Sequence, residues 1–178
     1  IDPLAEIGYP DVIGNDCRLY GIDISKYGIR AASKKNRGIV YAVASIYDLP
    51  VGKKSVDVLI SIFSPFDEPG FVRALSDEGI IISVTPGARH LEGLKKILYE
   101  DPRLHDEKIT APEGLIQSQI ERISYEIEVN NAEDISCLLK MTPYYHKTGK
   151  DKISGAMESL NKLKTQADFL ISLFVKSV

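Results

Sequence analysis

Residues 56–63, VDVLISIF, are apolar at nearly every position. A strand covered on both faces reads this way, so the run predicts a central strand. Three further runs of β-formers, at residues 19–23, 39–44 and 80–84, predict its companions. Between them lie helix signals. Ser25 starts a helix over residues 25–35, which Asn36 to Gly38 close after a basic last turn. Residues 46–50 read as a turn or short helix, 52–55 as a bend, 71–75 as a short helix and 76–79 as a turn. Residues 90–99 form an amphipathic helix with Leu91, Leu94, Ile97 and Leu98 on one face. Strand and helix alternate at intervals of roughly twenty residues, which argues a parallel sheet with crossover helices.

Further along, apolar Ile120, Ile123, Tyr125, Ile127 and Val129 predict a strand within residues 115–129. A helix over 132–139 begins at Asn131, another spans 153–163, and residues 169–175 make a last strand, expected to run antiparallel. At the other end, residues 2–7 read as a helix remnant before a loop containing Gly8, Pro10, Gly14 and Asn15.

Composition narrows the class. With 178 residues, 44% hydrophobic and 26% charged, the chain is expected to form one α/β domain over residues 1–178. No apolar run reaches the roughly eighteen residues of a membrane span, and no basic-then-apolar leader opens the chain, so a soluble cytoplasmic protein is expected. Cys17 and Cys137 lie far apart without a CxxC partner and read as free thiols, with no metal site. The net charge of −3 argues against this domain gripping nucleic acid alone. Two basic clusters, Lys34, Lys35 and Arg37, then Lys147, Lys150, Lys152, Lys162 and Lys164, read first as solvated faces.

The candidate chemistry lies where strands end. Asp23 closes RLYGID, and an acid at the carboxyl end of a strand in an open α/β sheet can accept hydrogen bonds from both hydroxyls of a ribose. Its plainer role is to start the turn that Ser25 caps. Ala44 and Ser45 close the second strand with small side chains, and Ser64 to Glu68 and Thr85 to His90 follow the next two. In a parallel sheet all four ends share one edge, the geometry of a nucleotide cofactor lying across strands. No GxGxxG or GxGxG loop occurs in the chain.

The run GIDISKYGIRAASKKNRGIVYAVASIYDLPVGKKSVDVLISIF, with SVTPGARHLEGLKKILYEDPRLH and LLKMTPYY after it, resembles the S-adenosylmethionine-dependent methyltransferases that modify N1 of a guanine in large-subunit ribosomal RNA. The likeness covers the chain from about residue 19 onward; TPGARHL and MTPYY are its family-specific part. It implies a Rossmann-like class I methyltransferase sheet, mostly parallel, with an antiparallel C-terminal strand. It implies S-adenosylmethionine as cofactor, with Asp23 on the ribose, Ala44, Ser45 and Ile46 along the adenine, Ile24 and Phe63 beside them, and His90 touching the cofactor or closing its pocket. Large-subunit ribosomal RNA is the implied partner, and a homodimer is left open.

Members of that family carry an N-terminal zinc module, then a first strand and glycine-rich loop, which these residues lack. The chain therefore reads as N-terminally truncated, with the first strand missing and little activity expected from it alone. Guanine N1 must lose a proton before methylation. Asp67 and Glu68, after the third strand, are the candidate catalytic acids, against the plainer account of surface loop acids. Phe63, Phe66, Tyr144 and Tyr145 are candidate stacking partners for a base, of which at least two should be core. A small-molecule methyltransferase and a non-catalytic nucleotide- or RNA-binding relative are the competing readings.

Overall fold

The computed structural model describes residues 17–107, 111, 113–157 and 160–177; the expected helix at residues 2–7 lies outside them. β1 (Leu19–Asp23) and β2 (Ile39–Val43) pair in parallel, Leu19 opposite Ile39 and Asp23 opposite Val43. The crossover between them is α1 (Lys26–Lys35). Ser25 starts it as its residue type predicts, its Oγ accepting the Gly28 N–H at 3.1 Å. Lys34 and Lys35 sit in the last turn, where the helix dipole favours cations.

The larger sheet has the order β3-β4-β6-β5. β3 (Val56–Ile62) runs parallel to β4 (Leu75–Pro86), with α2 (Glu68–Ala74) between them. β6 (Leu163–Lys176) runs antiparallel to both β4 and β5 (Leu115–Val129). From β4 the chain passes through α3 (Glu92–Leu98), and from β5 through α4 (Ala132–Lys140), α5 (Pro143–Lys147) and α6 (Lys150–Met157). This is a Rossmann-like mixed α/β fold, parallel in its first half and antiparallel where the C-terminal segments join.

Three expectations change. β3 is an edge strand of its sheet rather than a central one, and Val58, Ile60 and Ile62 are 50%, 60% and 60% exposed. The apolar run reports what the strand is suited to pack against; among the described residues no strand pairs with its outer edge. The expected turn at residues 76–79 is part of β4, which starts at Leu75 directly after α2. The register passes from Val56–Leu75 to Val58–Ile80, so residues 76–79 leave the ladder and the chain rejoins it. The expected helix at 153–163 ends at Met157 as described, and Leu163 already belongs to β6. The pentapeptide PYYHK forms α5, with Pro143 in its first turn, where a missing N–H costs nothing.

Two apolar clusters hold the larger sheet. Phe71, Leu75, Ile81, Leu115 and Phe174 form one under α2, and Ile46, Leu49 and Phe66 pack against it. Leu91, which precedes α3, and Leu94 and Leu98, one turn apart on it, meet Ile135, Leu139 and Leu163 in the other. Gly93 lets α3 reach β6: a Cβ there would collide with the Lys164 carbonyl, while the Gly93 N–H donates to Thr165 Oγ1 at 3.0 Å.

Candidate functional site

The carboxyl ends of β1 and β2 are joined, since the Ala44 N–H donates to the Asp23 carbonyl at 3.1 Å. Asp23 is exposed, and its Oδ1 accepts the Ser25 N–H at 2.7 Å. The acid thus starts the helix turn, and Oδ2 remains for a hydroxyl donor. Ile24 beside it is 78% exposed. Ala44, Ser45 and Ile46 are half-buried, and Ser45 Oγ accepts the Tyr47 N–H at 3.2 Å. A small side chain followed by a turn leaves room for a flat group above Ala44. The acid and small-residue set therefore suits the nucleoside end of a cofactor.

The loop after β2 is tied to α2. Arg73 Nη1 and Nη2 donate to the Val51 and Leu49 carbonyls at 2.8 and 3.0 Å, while Ile46 and Leu49 lie against the Phe71 cluster. A Cβ at Gly70 would come within 3.7 Å of the Ile46 carbonyl oxygen. Because α2 starts just beyond the end of β3, these contacts tie the loop after β2 to the segment that follows β3.

Asp67 caps α2, with Oδ2 accepting the Gly70 N–H at 3.1 Å. It lines an open depression with Tyr47, Asp48, Pro69 and Arg73. Glu68 lines a different depression, with Lys53, Lys54, Val72 and Lys176. The two acids thus stand next to each other in sequence and face separate hollows. Asp67 shares its hollow with Tyr47 and Asp48, next to the Ala44 to Ile46 run; Glu68 shares its own with Lys53 and Lys54, just before β3.

The ends of β3 and β4 meet in an aromatic cluster. The Phe63 N–H donates to the Val84 carbonyl at 3.0 Å, and its ring lies 5.3 Å from His90 and 5.9 Å from Phe169 between centroids. His90 is 5.1 Å from Phe169 and 6.4 Å from His105. His105 in turn binds the Tyr144 hydroxyl at 3.0 Å. TPGARHL and MTPYY, distant in sequence, are therefore joined through His90, His105 and Tyr144.

Burial sets the ionisation here. Desolvation pulls His90 and His105 below the ordinary histidine value, against the opposing pull of Asp168. Tyr144, desolvated beside Tyr99, is pushed up to about 12. Lys95, also lowered by burial, donates to the Arg103 carbonyl at 3.1 Å and lies 5.7 Å from the Tyr144 ring centre.

Sequence reasoning missed Asp168, Phe169, His105 and Arg122. Asp168 is 1% exposed, with Oδ2 accepting the Arg89 N–H at 3.0 Å and Oδ1 without a hydrogen-bond partner among the described residues. The nearest cation to Oδ1 is Arg122, whose Nε is 3.8 Å away and whose Nη2 pairs with Glu107. The available signal was an acid inside the apolar run ADFLISLF. Of the stacking candidates, Phe66 is core, edge-on to Phe71 and Phe174 at 4.8 and 5.5 Å. Tyr144 is half-buried and hydrogen-bonded, and Tyr145 lies against the His146 ring at 5.4 Å.

Cys17 and Cys137 are free and exposed, as their spacing suggested. Among the described residues no group of three or more His, Cys, Asp or Glu is arranged to hold a metal. No described helix is long and apolar enough to cross a membrane. In the second basic cluster Lys162 pairs with Glu128 at 2.8 Å and Lys164 with Glu126 at 3.2 Å, which spends part of its charge on β5.

Comparison with known proteins agrees with this geometry. Residues 7–77 match the family described as Methyltransferase domain. The chain is 34% identical over 159 residues to a Bacillus subtilis (strain 168) protein named "Putative 23S rRNA (guanine-N(1)-)-methyltransferase YxjB", covering 86% of this chain and 56% of the relative. It thus spans little more than half of that relative's length. A "putative methyltransferase" structure from Bacillus halodurans C-125 superposes with a TM-score of 0.53 at 13% identity, covering 91% of this chain and 84% of the other. The [4+2]-cyclase SpnF superposes with a TM-score of 0.51 at 14% identity, covering 98% and 71%. At such identities the likeness speaks for the fold alone, and one fold serves several chemistries. The chain is therefore similar to methyltransferases, by sequence to the relative above and by fold to the solved structures.

Proposed function

We propose that this chain is the catalytic part of an enzyme that transfers a methyl group from S-adenosylmethionine to N1 of a guanine in large-subunit ribosomal RNA. The observation that carries the substrate is the 34% identity to the Bacillus subtilis relative over 159 residues, which includes the segments joined through His90, His105 and Tyr144. S-Adenosylmethionine supplies the electrophilic methyl group when bound. Asp23 holds the ribose hydroxyls, Ala44, Ser45 and Ile46 line the adenine with Ile24 at the rim, and His90 closes the site. The chain's own task is then to place the base and take its N1 proton. Asp67 is the better acceptor of the two candidate acids, because it lies in the hollow shared with Tyr47 and Asp48, next to the Ala44 to Ile46 run. Glu68 belongs to the neighbouring hollow and acts, if at all, through charge.

The proposal does not place the whole RNA grip in this chain. Its net charge is −3, and Lys162 and Lys164 are paired with acids, so this chain is expected to supply only part of the counterion release that drives RNA binding. The test uses the full-length protein, labelled S-adenosylmethionine and unmodified large-subunit RNA. Primer extension should stop at one guanine, since a methyl on N1 blocks pairing. An enzyme that ignores the RNA yet methylates small acceptors would replace this reading with a small-molecule methyltransferase. One that binds RNA without consuming cofactor would replace it with a non-catalytic binder.

A further inference from the structure

We propose that Phe63, His90 and Phe169 form the stacking platform for the target base, separate from the place of the cofactor's adenine at the ends of β1 and β2. The inference rests on the methyl-transfer reading above. Three observations carry it. The first is the closed triangle of rings, with centroids 5.3, 5.9 and 5.1 Å apart, to which Tyr125 adds a fourth ring 6.4 Å from Phe169. The second is exposure: Phe63 is 51% and Tyr125 52% exposed, so the cluster presents aromatic surface where a core would hide it. By contrast, Phe66, three residues further on, has its ring against Phe71 and Phe174.

The third is the backbone. Phe63 has a φ of 51°, a conformation that side chains with a Cβ rarely adopt, and its N–H is fixed to the Val84 carbonyl. Strain of this kind persists where surrounding contacts hold it, and at Phe63 it places an aromatic ring at the end of an edge strand. Every base has a π-face, so such a surface binds nucleobases by stacking.

Beneath the platform Asp168 holds His90. Its main-chain N–H donates to His90 Nδ1 at 3.3 Å, so Nε2 carries the proton of the neutral ring. Asp168 is itself fixed by the Gly87 N–H on its carbonyl at 2.9 Å and the Arg89 N–H on Oδ2. Gly87 makes this approach possible, because a Cβ there would collide with the Asp168 carboxylate. A neutral imidazole whose N–H lies beside apolar rings suits a base that carries a carbonyl, as guanine does. The adenine of the cofactor has no such oxygen and lies against the other sheet.

The test is steady-state methyl transfer by the full-length protein with Phe63→Leu, Phe169→Leu and Phe63→Tyr. Leucine keeps the apolar volume and removes the π-face; tyrosine keeps the ring. Phe63→Leu and Phe169→Leu should each lower kcat/KM for RNA by roughly tenfold or more, the lower range for loss of one stacking partner, with the KM for S-adenosylmethionine nearly unchanged. Phe63→Tyr should recover most of that loss, which a merely structural role would not require. Unchanged RNA kinetics in both leucine variants, or a defect confined to the KM for S-adenosylmethionine, would overturn the platform while leaving the methyl-transfer reading intact. A wild-type protein inactive on large-subunit RNA would remove both.

Discussion

The unit of β1, α1 and β2 and the four-stranded sheet differ sharply in how they are held. α1 buries no residue, and β1 and β2 contain none that is fully buried, whereas the larger sheet carries both apolar clusters. The residues proposed to bind the nucleoside stand on the weakly packed unit; those proposed to bind the base stand on the strongly packed one. The first unit is anchored chiefly through the loop after β2, by Arg73 and the packing of Ile46 and Leu49. A ligand spanning both would therefore tie the loose part to the firm one, stabilising it by mass action.

Core truncations should give the widest separation. Phe174 is 1% exposed within the α2 cluster, so Phe174→Ala should cost about 3–5 kcal/mol. Ile22 is only half-buried, and Ile22→Ala should cost roughly 1 kcal/mol. The urea midpoint measures the first and amide exchange over residues 19–43 the second, and equal losses would erase the contrast. The next effect reverses the order of importance. Asp23→Ala should weaken S-adenosylmethionine binding by about 1.5–3 kcal/mol, the range for hydrogen bonds to a charged group, with the urea midpoint of the unliganded protein nearly unchanged. Calorimetry showing undiminished affinity would remove Asp23 from the site.

Local signals were legible in the sequence where the chain's own neighbours decide the outcome. Ser25 and Asn131 cap the helices they were expected to cap, and Leu91, Leu94 and Leu98 face inward together. The signals that failed depend on distant partners. β6 was expected from residue 169 and starts at Leu163, because Lys164 stands opposite Glu128 and pairs with Glu126 on β5. A lysine just past a predicted helix gives no hint of an acid nearly forty residues earlier in the chain. The site shows the same division. Asp23 and Ala44 can be found from strand-end position alone. Asp168 and Phe169 cannot, since their significance lies in what β4 and the loop at Gly87 bring to them.

Acid should act on one region before the other. The chain's three histidines all follow β3, and burial holds the pKa of His90 and His105 below the ordinary histidine value. Below that value the unfolded chain binds more protons than the folded one, so stability rises with pH in this window. The contribution is fully present above the unfolded pKa and is lost as pH falls through it towards the folded values. Asp77, Glu92 and Glu128, whose pKa values are lowered by lysine partners, act at more acid pH. Urea midpoints at about pH 7.5 and about pH 5.5 should therefore diverge in the wild type. The gap should narrow in His105→Gln, which keeps a polar partner for Tyr144. An equal gap in the variant would assign the acid sensitivity elsewhere.

The smallest expected effect tests whether the loose unit is coupled to the firm one at all. Ser25 accepts the Gly28 N–H and its own N–H is held by Asp23, so the cap and the proposed ribose acid belong to one turn. Ser25→Ala should cost about 1 kcal/mol of helix stability, the typical loss of an N-cap. If the first unit unfolds with the whole, that loss appears in full at the global urea transition. If it opens alone, the global midpoint stays fixed while amide exchange quickens over residues 26–35, because the global transition then starts from a state in which α1 is already open. The second outcome is expected, since α1 buries nothing. Asp23, deprived of the turn that orients it, should then bind S-adenosylmethionine more weakly despite an intact carboxylate. Faster exchange with undiminished affinity would show that the turn is dispensable to the acid, and a shifted global midpoint would show that the two regions fold as one.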